Sequence, residues 1–232
     1  MRAGLLDALL DAVDAKRPVV LATRIPGGEQ ALLAPLEPGS APEGDWPVDA
    51  AREALLDDRS VTVAESGGDV FLRPYNPPIR LIVVGAVHIA DPLTRMAAAA
   101  GFEVHIIDPR SVFASEDRFP GVHLVRAWPG KALEALRPDH RTAVVTLTHD
   151  AKLDDPALVG ALATPAFYVG ALGSRRTHAK RLARLRERDV GDAQIARIRA
   201  PVGLDIGART PAEIAVSIMA ELVAHLRGKD SS

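Results

Sequence analysis

The sequence predicts an α/β protein: a parallel sheet with helices on both faces, preceded by a smaller α+β region. Three observations carry this prediction. From residue 79 onward, short runs rich in Val, Ile and Leu alternate with helix-period segments at the spacing of βαβ units. Most positions in those runs are apolar, as expected of strands buried on both faces. Ahead of them, Pro74-Tyr75-Asn76-Pro77-Pro78 interrupts helix and sheet alike. With 232 residues, 47% of them hydrophobic, the chain can supply a core to each of two domains.

The elements follow in order. Leu5, Leu6, Leu9, Leu10 and Val13 recur at helical spacing, and Pro18 ends that helix. Val19–Thr23 reads as a buried strand, and Ala31–Leu33 as a second beyond the Gly27-Gly28 turn. Residues 35–47, rich in Pro and Gly, read as a loop. A helix from about Asp49 to Asp57 precedes two short strands, Ser60–Ala64 and Val70–Arg73, across Gly67-Gly68. Beyond the proline segment come strand Arg80–Val84, an Ala-rich helix over Asp91–Ala100, and strand Glu103–Ile107. Strand Val122–Ala127, a helix over 130–136, strand Thr142–Leu147 and a helix from about Asp155 to Leu162 continue the alternation. Strand Phe167–Val169, a basic helix over 175–188 and a last helix over Pro211–Leu226 complete it. The domains are therefore expected at 1–76, small and α+β, and at 77–232, Rossmann-like.

Composition excludes several function classes. The absence of cysteine removes disulfides, Cys-containing zinc sites, iron–sulfur clusters, thiolate nucleophiles and persulfides held on this chain. A net charge of −2 argues against general nucleic-acid affinity, which needs clustered cations to neutralise phosphates. Asp7, Asp11 and Asp14 break the N-terminal Leu run, so an amphipathic helix is expected there and not a signal peptide or a membrane span. The expectation is a cytoplasmic protein. Charge is uneven, with 7 Lys/Arg against 13 Asp/Glu in residues 1–79 and 9 against 3 in residues 175–199.

Four segments could carry chemistry. The first βα turn, Gly85-Ala86-Val87-His88-Ile89-Ala90, keeps the first Gly and an Ala at the third position of the dinucleotide fingerprint. Val87 replaces the Gly that lets backbone approach a pyrophosphate, which weighs against ordinary NAD or NADP binding. Asp108 ends the second strand where a ribose-binding carboxylate would lie, with Arg110 beside it. Thr148-His149-Asp150 closes the fourth strand and, with His88 and Asp108, would line the carboxyl edge of the sheet. The spacing of these groups matches no compact metal motif, so hydrogen bonding to a ligand is preferred over a metal. Asp154 and Asp155 read as the cap and first turn of the next helix. Gly170-Ala171-Leu172-Gly173-Ser174-Arg175-Arg176 turns straight into a helix, and arginines at that end oppose the dipole unless an anion compensates. Ser174, Arg175 and Arg176 are therefore assigned to a phosphate or carboxylate ligand, and Arg184, Arg186 and Arg188 to a solvated face. Thr210-Pro211-Ala212-Glu213 is a capping box, while Leu204-Asp205-Ile206 forms a glycine-flanked loop expected near the ligand.

The stretches GAVHIA, GFEVHIIDPR, LTHDAKLDDPAL, FYVGALGSRRTHAKRL and PVGLDIGARTPAEIAVSIMAEL together resemble the XdhC/CoxI family of maturation factors for molybdenum hydroxylases. GAVH in place of GAGH is similar to the CoxI-like branch linked to carbon monoxide dehydrogenase-like clusters. The resemblance implies an N-terminal accessory domain and a commonly dimeric Rossmann domain. It also implies binding of molybdenum cofactor (molybdopterin) during sulfuration and its delivery to an apo-molybdenum hydroxylase, with sulfur from a cysteine desulfurase-type donor. The expected role is that of a cofactor chaperone and insertion factor rather than an enzyme, with no catalytic residue assigned. The sites it carries over are Gly85 to His88, Asp108 with Arg110, His149 with Asp150, and Gly173 to Arg176. The first 76 residues depart from the family, whose members often carry Gly-Ser-x-Pro-Arg after the first strand and a Gly-Gly-Cys turn. Here the first strand is followed by Pro26-Gly27-Gly28, and Gly39–Pro42 is read as a coincidental match. Two other readings fit the same scaffold: an NAD(P)-binding oxidoreductase, and an interaction module that binds no ligand.

Overall fold

Short strands joined by tight glycine turns pair most simply with their neighbours, and the first part of the chain does this. The computed structural model describes residues 3–37, 44–110 and 112–228. Residues 38–43, including the Gly39–Pro42 match and much of the expected 35–47 loop, lie outside them. The chain divides into two compact units, Met1–Pro77 and Pro78–Ser232.

The first unit contains α1 (Ala3–Asp14), β1 (Val19–Ile25), β2 (Gln30–Leu33), α2 (Val48–Asp57), β3 (Val61–Val63) and β4 (Asp69–Tyr75). Its four strands form an antiparallel sheet in the order β2-β1-β4-β3. Val20, Ala22, Val70 and Leu72 pack with Ala51, Ala54 and Leu55 of α2. β4 continues through Pro74, which pairs with Val20. The proline is tolerated because β3 covers β4 only from Val70 to Leu72, so no ladder partner on that side needs its missing N–H. Of the apolar stripe predicted on α1, only Leu9 is buried, together with Ala12, while Leu6, Leu10 and Val13 are exposed.

The second unit opens with β5 (Arg80–Val84), α3 (Ala90–Ala99), β6 (Glu103–Ile107) and β7 (His123–Val125). It continues through α4 (Pro129–Leu136), β8 (Thr142–Thr146), α5 (Ala151–Leu162), β9 (Tyr168–Ala171) and α6 (Arg175–Arg186). It ends with α7 (Asp192–Ile195), β10 (Ile198–Arg199) and α8 (Pro211–Leu226). All six strands are parallel, in the order β10-β9-β8-β5-β6-β7. This is the doubly wound Rossmann order, reversing between β5 and β8. Side chains alternate along β5: Leu81 and Val83 join a core with Leu93, Ala97, Ile218 and Leu222, on the side of α3 and α8. Ile82 and Val84 join the opposite core with Leu133, Leu158, Ala161 and Leu185, on the side of α4, α5 and α6. Each of these buried Val, Leu and Ile side chains contributes about 1.5–3 kcal/mol.

Candidate functional site

In an open α/β sheet, ligands bind beyond the carboxyl ends of the strands where the order reverses. At the end of β5, Gly85 has φ +108°, and a Cβ there would lie 2.3 Å from Thr148 Cγ2, so only glycine lets the two loops meet. The next peptide is clamped: Ala86 N–H donates to Asp108 Oδ2 at 2.9 Å. Asp108 is completely buried and also accepts from the Arg110 backbone N–H, Nε and Nη2 at 2.9, 2.9 and 2.8 Å. Burial alone would raise its pKa, but the hydrogen bonds from Arg110 and Ala86 outweigh that and hold the carboxyl below its ordinary range. The same bond raises the Arg110 pKa. A ribose hydroxyl reaching Asp108 would therefore have to displace bonds already made.

Arg118, which no local sequence signal marks, closes this turn from the other side. It donates to the Ala86 carbonyl at 3.0 Å and to Asp91 Oδ2 at 2.7 Å. Asp91 in the first turn of α3 already supplies the negative charge that a helix start favours. Val87 is partly buried against the core, and His88 is exposed. Ala86 and Asp91, the partners of Arg118, lie 32 and 27 residues away from it in the chain, beyond the reach of any local pattern.

After β8, His149 adopts φ +61° and is exposed. Asp150 caps α5, accepting from Lys152 N at 2.9 Å. The helix therefore starts four residues earlier than predicted, and Asp154 and Asp155 are not its cap. Both are buried. Asp154 Oδ1 accepts from the Thr148 hydroxyl at 2.6 Å, and burial pushes its carboxyl above the ordinary range. Asp155 takes both Nε and Nη2 of Arg184, at 2.6 and 2.9 Å. Two of the arginines assigned to a solvated face are thus ion-paired, since Arg186 also meets Asp192 at 3.1 Å.

After β9, Gly173 (φ +137°) leads to Ser174, which caps α6 by accepting from Thr177 N at 3.2 Å. Arg175 and Arg176 are exposed in the first turn, where no acidic residue stands. A pocket of about 270 Å³ lies here, and His149, Asp154, Arg176 and Arg181 are among its lining residues. The structure thus brings His149 together with Arg176, and places the Gly85 turn against Thr148 and Asp108. Asp150 lends its charge to Arg110. Leu204-Asp205-Ile206 is instead tied to α8: Ser217 Oγ donates to the Leu204 carbonyl at 2.6 Å, and Leu204 N donates to the Ser217 carbonyl at 3.2 Å. None of those three residues lines the pocket. Among the described residues no cluster of three metal-ligating His, Asp or Glu side chains occurs, and no helix is long and apolar enough to cross a membrane.

Comparison with known proteins adds to this geometry. The XdhC Rossmann domain model matches residues 81–222. The molybdenum cofactor insertion chaperone PaoD of Escherichia coli (strain K12) is 34% identical over 148 residues, which are 64% of this chain and 40% of PaoD. A Bacillus subtilis (strain 168) protein named as a probable xanthine dehydrogenase subunit is 32% identical over 188 residues, 78% of this chain and 53% of that protein. The uncharacterized YqeB of E. coli is 36% identical over 166 residues, 69% of this chain and 30% of YqeB. The chain thus spans about a third to a half of the length of these relatives. A crystal structure of a xanthine dehydrogenase from Bacillus halodurans superposes with a TM-score of 0.72 at 25% identity, covering 97% of this chain and 65% of that one. With the doubly wound sheet and the XdhC Rossmann match over more than half its length, the chain belongs to the XdhC family.

Proposed function

We propose that this protein is a maturation factor that binds molybdenum cofactor as cargo, holds it during sulfuration and delivers it to an apo-molybdenum hydroxylase. One observation carries the reading. The α6 start presents Arg175 and Arg176, exposed and without a carboxylate in that turn, at the carboxyl edge of a doubly wound sheet. A cationic helix start facing a crevice is matched to an anion such as the phosphate of the pterin. The 34% identity to a molybdenum cofactor insertion chaperone supports the same cargo. Because the chain has no cysteine, the sulfur comes from a partner of the cysteine desulfurase type, not from a persulfide on this protein. A homodimer, a cytoplasmic setting and membership of the CoxI-like branch belong to the same reading.

The competing reading as an NAD(P)-dependent oxidoreductase finds less support at the Gly85 turn. The Ala86 N–H is spent on Asp108, the α3 start is already occupied by Asp91, and Val87 stands where backbone should approach a pyrophosphate. The test is to mix the purified protein with molybdenum cofactor and follow activation of an apo-hydroxylase. Cofactor capture that is lost in Arg175→Ala/Arg176→Ala is expected. Stoichiometric NAD binding with no cofactor capture would contradict the proposal.

A further inference from the structure

We propose that the pocket between α5 and α6 binds the dianionic phosphate of a phosphate monoester, with the buried guanidinium of Arg181 as its anchor. Arg181 is 1% exposed, the bulkiest of the wholly buried side chains. Its Nη2 donates to the Leu172 carbonyl at 2.8 Å, but Nε and Nη1 are buried without a hydrogen-bond partner. The facing carboxylate, Asp154, stands at 3.7 Å, which is charge contact without a hydrogen bond, and its Oδ2 is likewise unpartnered. A buried guanidinium with unfilled donors is costly, and an acceptor arriving in the pocket removes that cost.

The charge around the pocket specifies the class of acceptor. Arg184 is neutralised by Asp155. Arg176 and Lys180 line the pocket and make no ion pair among the described residues. Arg176, Lys180 and Arg181 therefore face one carboxylate, Asp154. The surplus is about two positive charges, which matches a phosphate dianion better than a monoanionic carboxylate. His149 and Thr177 add donors at the rim. At about 270 Å³ the pocket admits a phosphoryl group, while the exposed His149, Arg176 and Lys180 leave the rest of the ester outside. The anion thus sits one to two turns along α6, beyond the capped start. The pocket stands independently of the proposed function, which supplies only one source of the ester, the pterin phosphate.

Calorimetry on the whole chain at fixed ionic strength tests this with inorganic phosphate, a nucleoside monophosphate and molybdopterin, against chloride. Saturable one-to-one phosphate binding is expected. It should weaken at least tenfold in Arg176→Ala/Lys180→Ala, whose exposed side chains are not needed for folding. It should vanish in Arg181→Met, with circular dichroism confirming that this variant folds. The pair Arg186→Ala/Arg188→Ala, at and just beyond the far end of α6, should bind as the wild type does. No saturable phosphate binding, or equal weakening in that second pair, overturns the proposal even if molybdopterin is captured elsewhere. Preference for molybdopterin over the nucleotide, abolished by the rim pair, supports both readings. Preference for the nucleotide supports the pocket and contradicts the molybdenum cargo.

Discussion

Asp108 and Asp154 are both buried at the carboxyl edge of the sheet, yet their surroundings drive them in opposite directions. Asp108 is lowered by Arg110 and backbone N–H donors, so its stabilisation is present above the ordinary carboxylate pKa and is lost as pH falls through its lower folded value. Asp154 is raised by burial, so its effect on stability has the other sign: stability declines as pH rises from about 4 through its folded value. Asp108→Asn is expected to cost about 2–4 kcal/mol at pH 7 and less at pH 3, by urea denaturation. Asp154→Asn should instead gain stability relative to wild type as pH rises from 4 to 7. Slopes of the same sign in the two variants would contradict these assignments. Sequence made Asp108 visible, because a carboxylate ending the second strand of a βαβ unit occupies a known position. It hid Asp154 and Asp155, since Asp-Asp-Pro imitates a helix start and their partners Arg181 and Arg184 lie more than twenty residues away.

Elements buried on both faces were the easiest to read. β5, β6 and β8 are short buried runs built mainly of Val, Ile, Leu and Ala, and each lies within a residue or so of its predicted span. β10 has two residues and no periodicity, so nothing local announces it, although it completes the six-stranded sheet. α5 begins before its Asp-Asp-Pro sequence because Asp150 caps it and tertiary pairing holds the two acids inside. The Gly85 turn is the junction on which the crevice depends. Gly85→Ala is expected to destabilise by about 2–4 kcal/mol, combining overpacking with a strained positive φ. Thr148→Ser removes the clashing Cγ2 but keeps the hydroxyl on Asp154, so the double variant should recover the steric part and leave the conformational part. Thermal melts of the two single variants and the double variant separate the terms. At α8, Thr210→Ala removes the hydroxyl half of the capping box, for an expected loss of about 1 kcal/mol by denaturant titration.

At the scale of the molecule, strand order carries most of the functional weight. Once β5 lies between β6 and β8, the loops bearing Gly85, Asp108 and His149 must emerge at one edge, and the α6 start follows from β9 beside them. Alternating strand and helix patterns predict that edge but not which loops spend their donors internally. That depends on contacts such as Arg118 with Ala86, which only the fold creates. The sheet and both of its cores lie within Pro78–Ser232. A fragment of those residues is accordingly expected to unfold cooperatively on its own, a prediction that calorimetric melting checks. The proposed role itself turns on the cargo. The most direct measurement is the molybdopterin content of the whole chain after incubation with molybdenum cofactor and gel filtration, for wild type and for Arg175→Ala/Arg176→Ala. Near-stoichiometric pterin on the wild type and little on the variant is the expected result. Wild type emerging free of pterin, or the variant retaining as much as wild type, would contradict it.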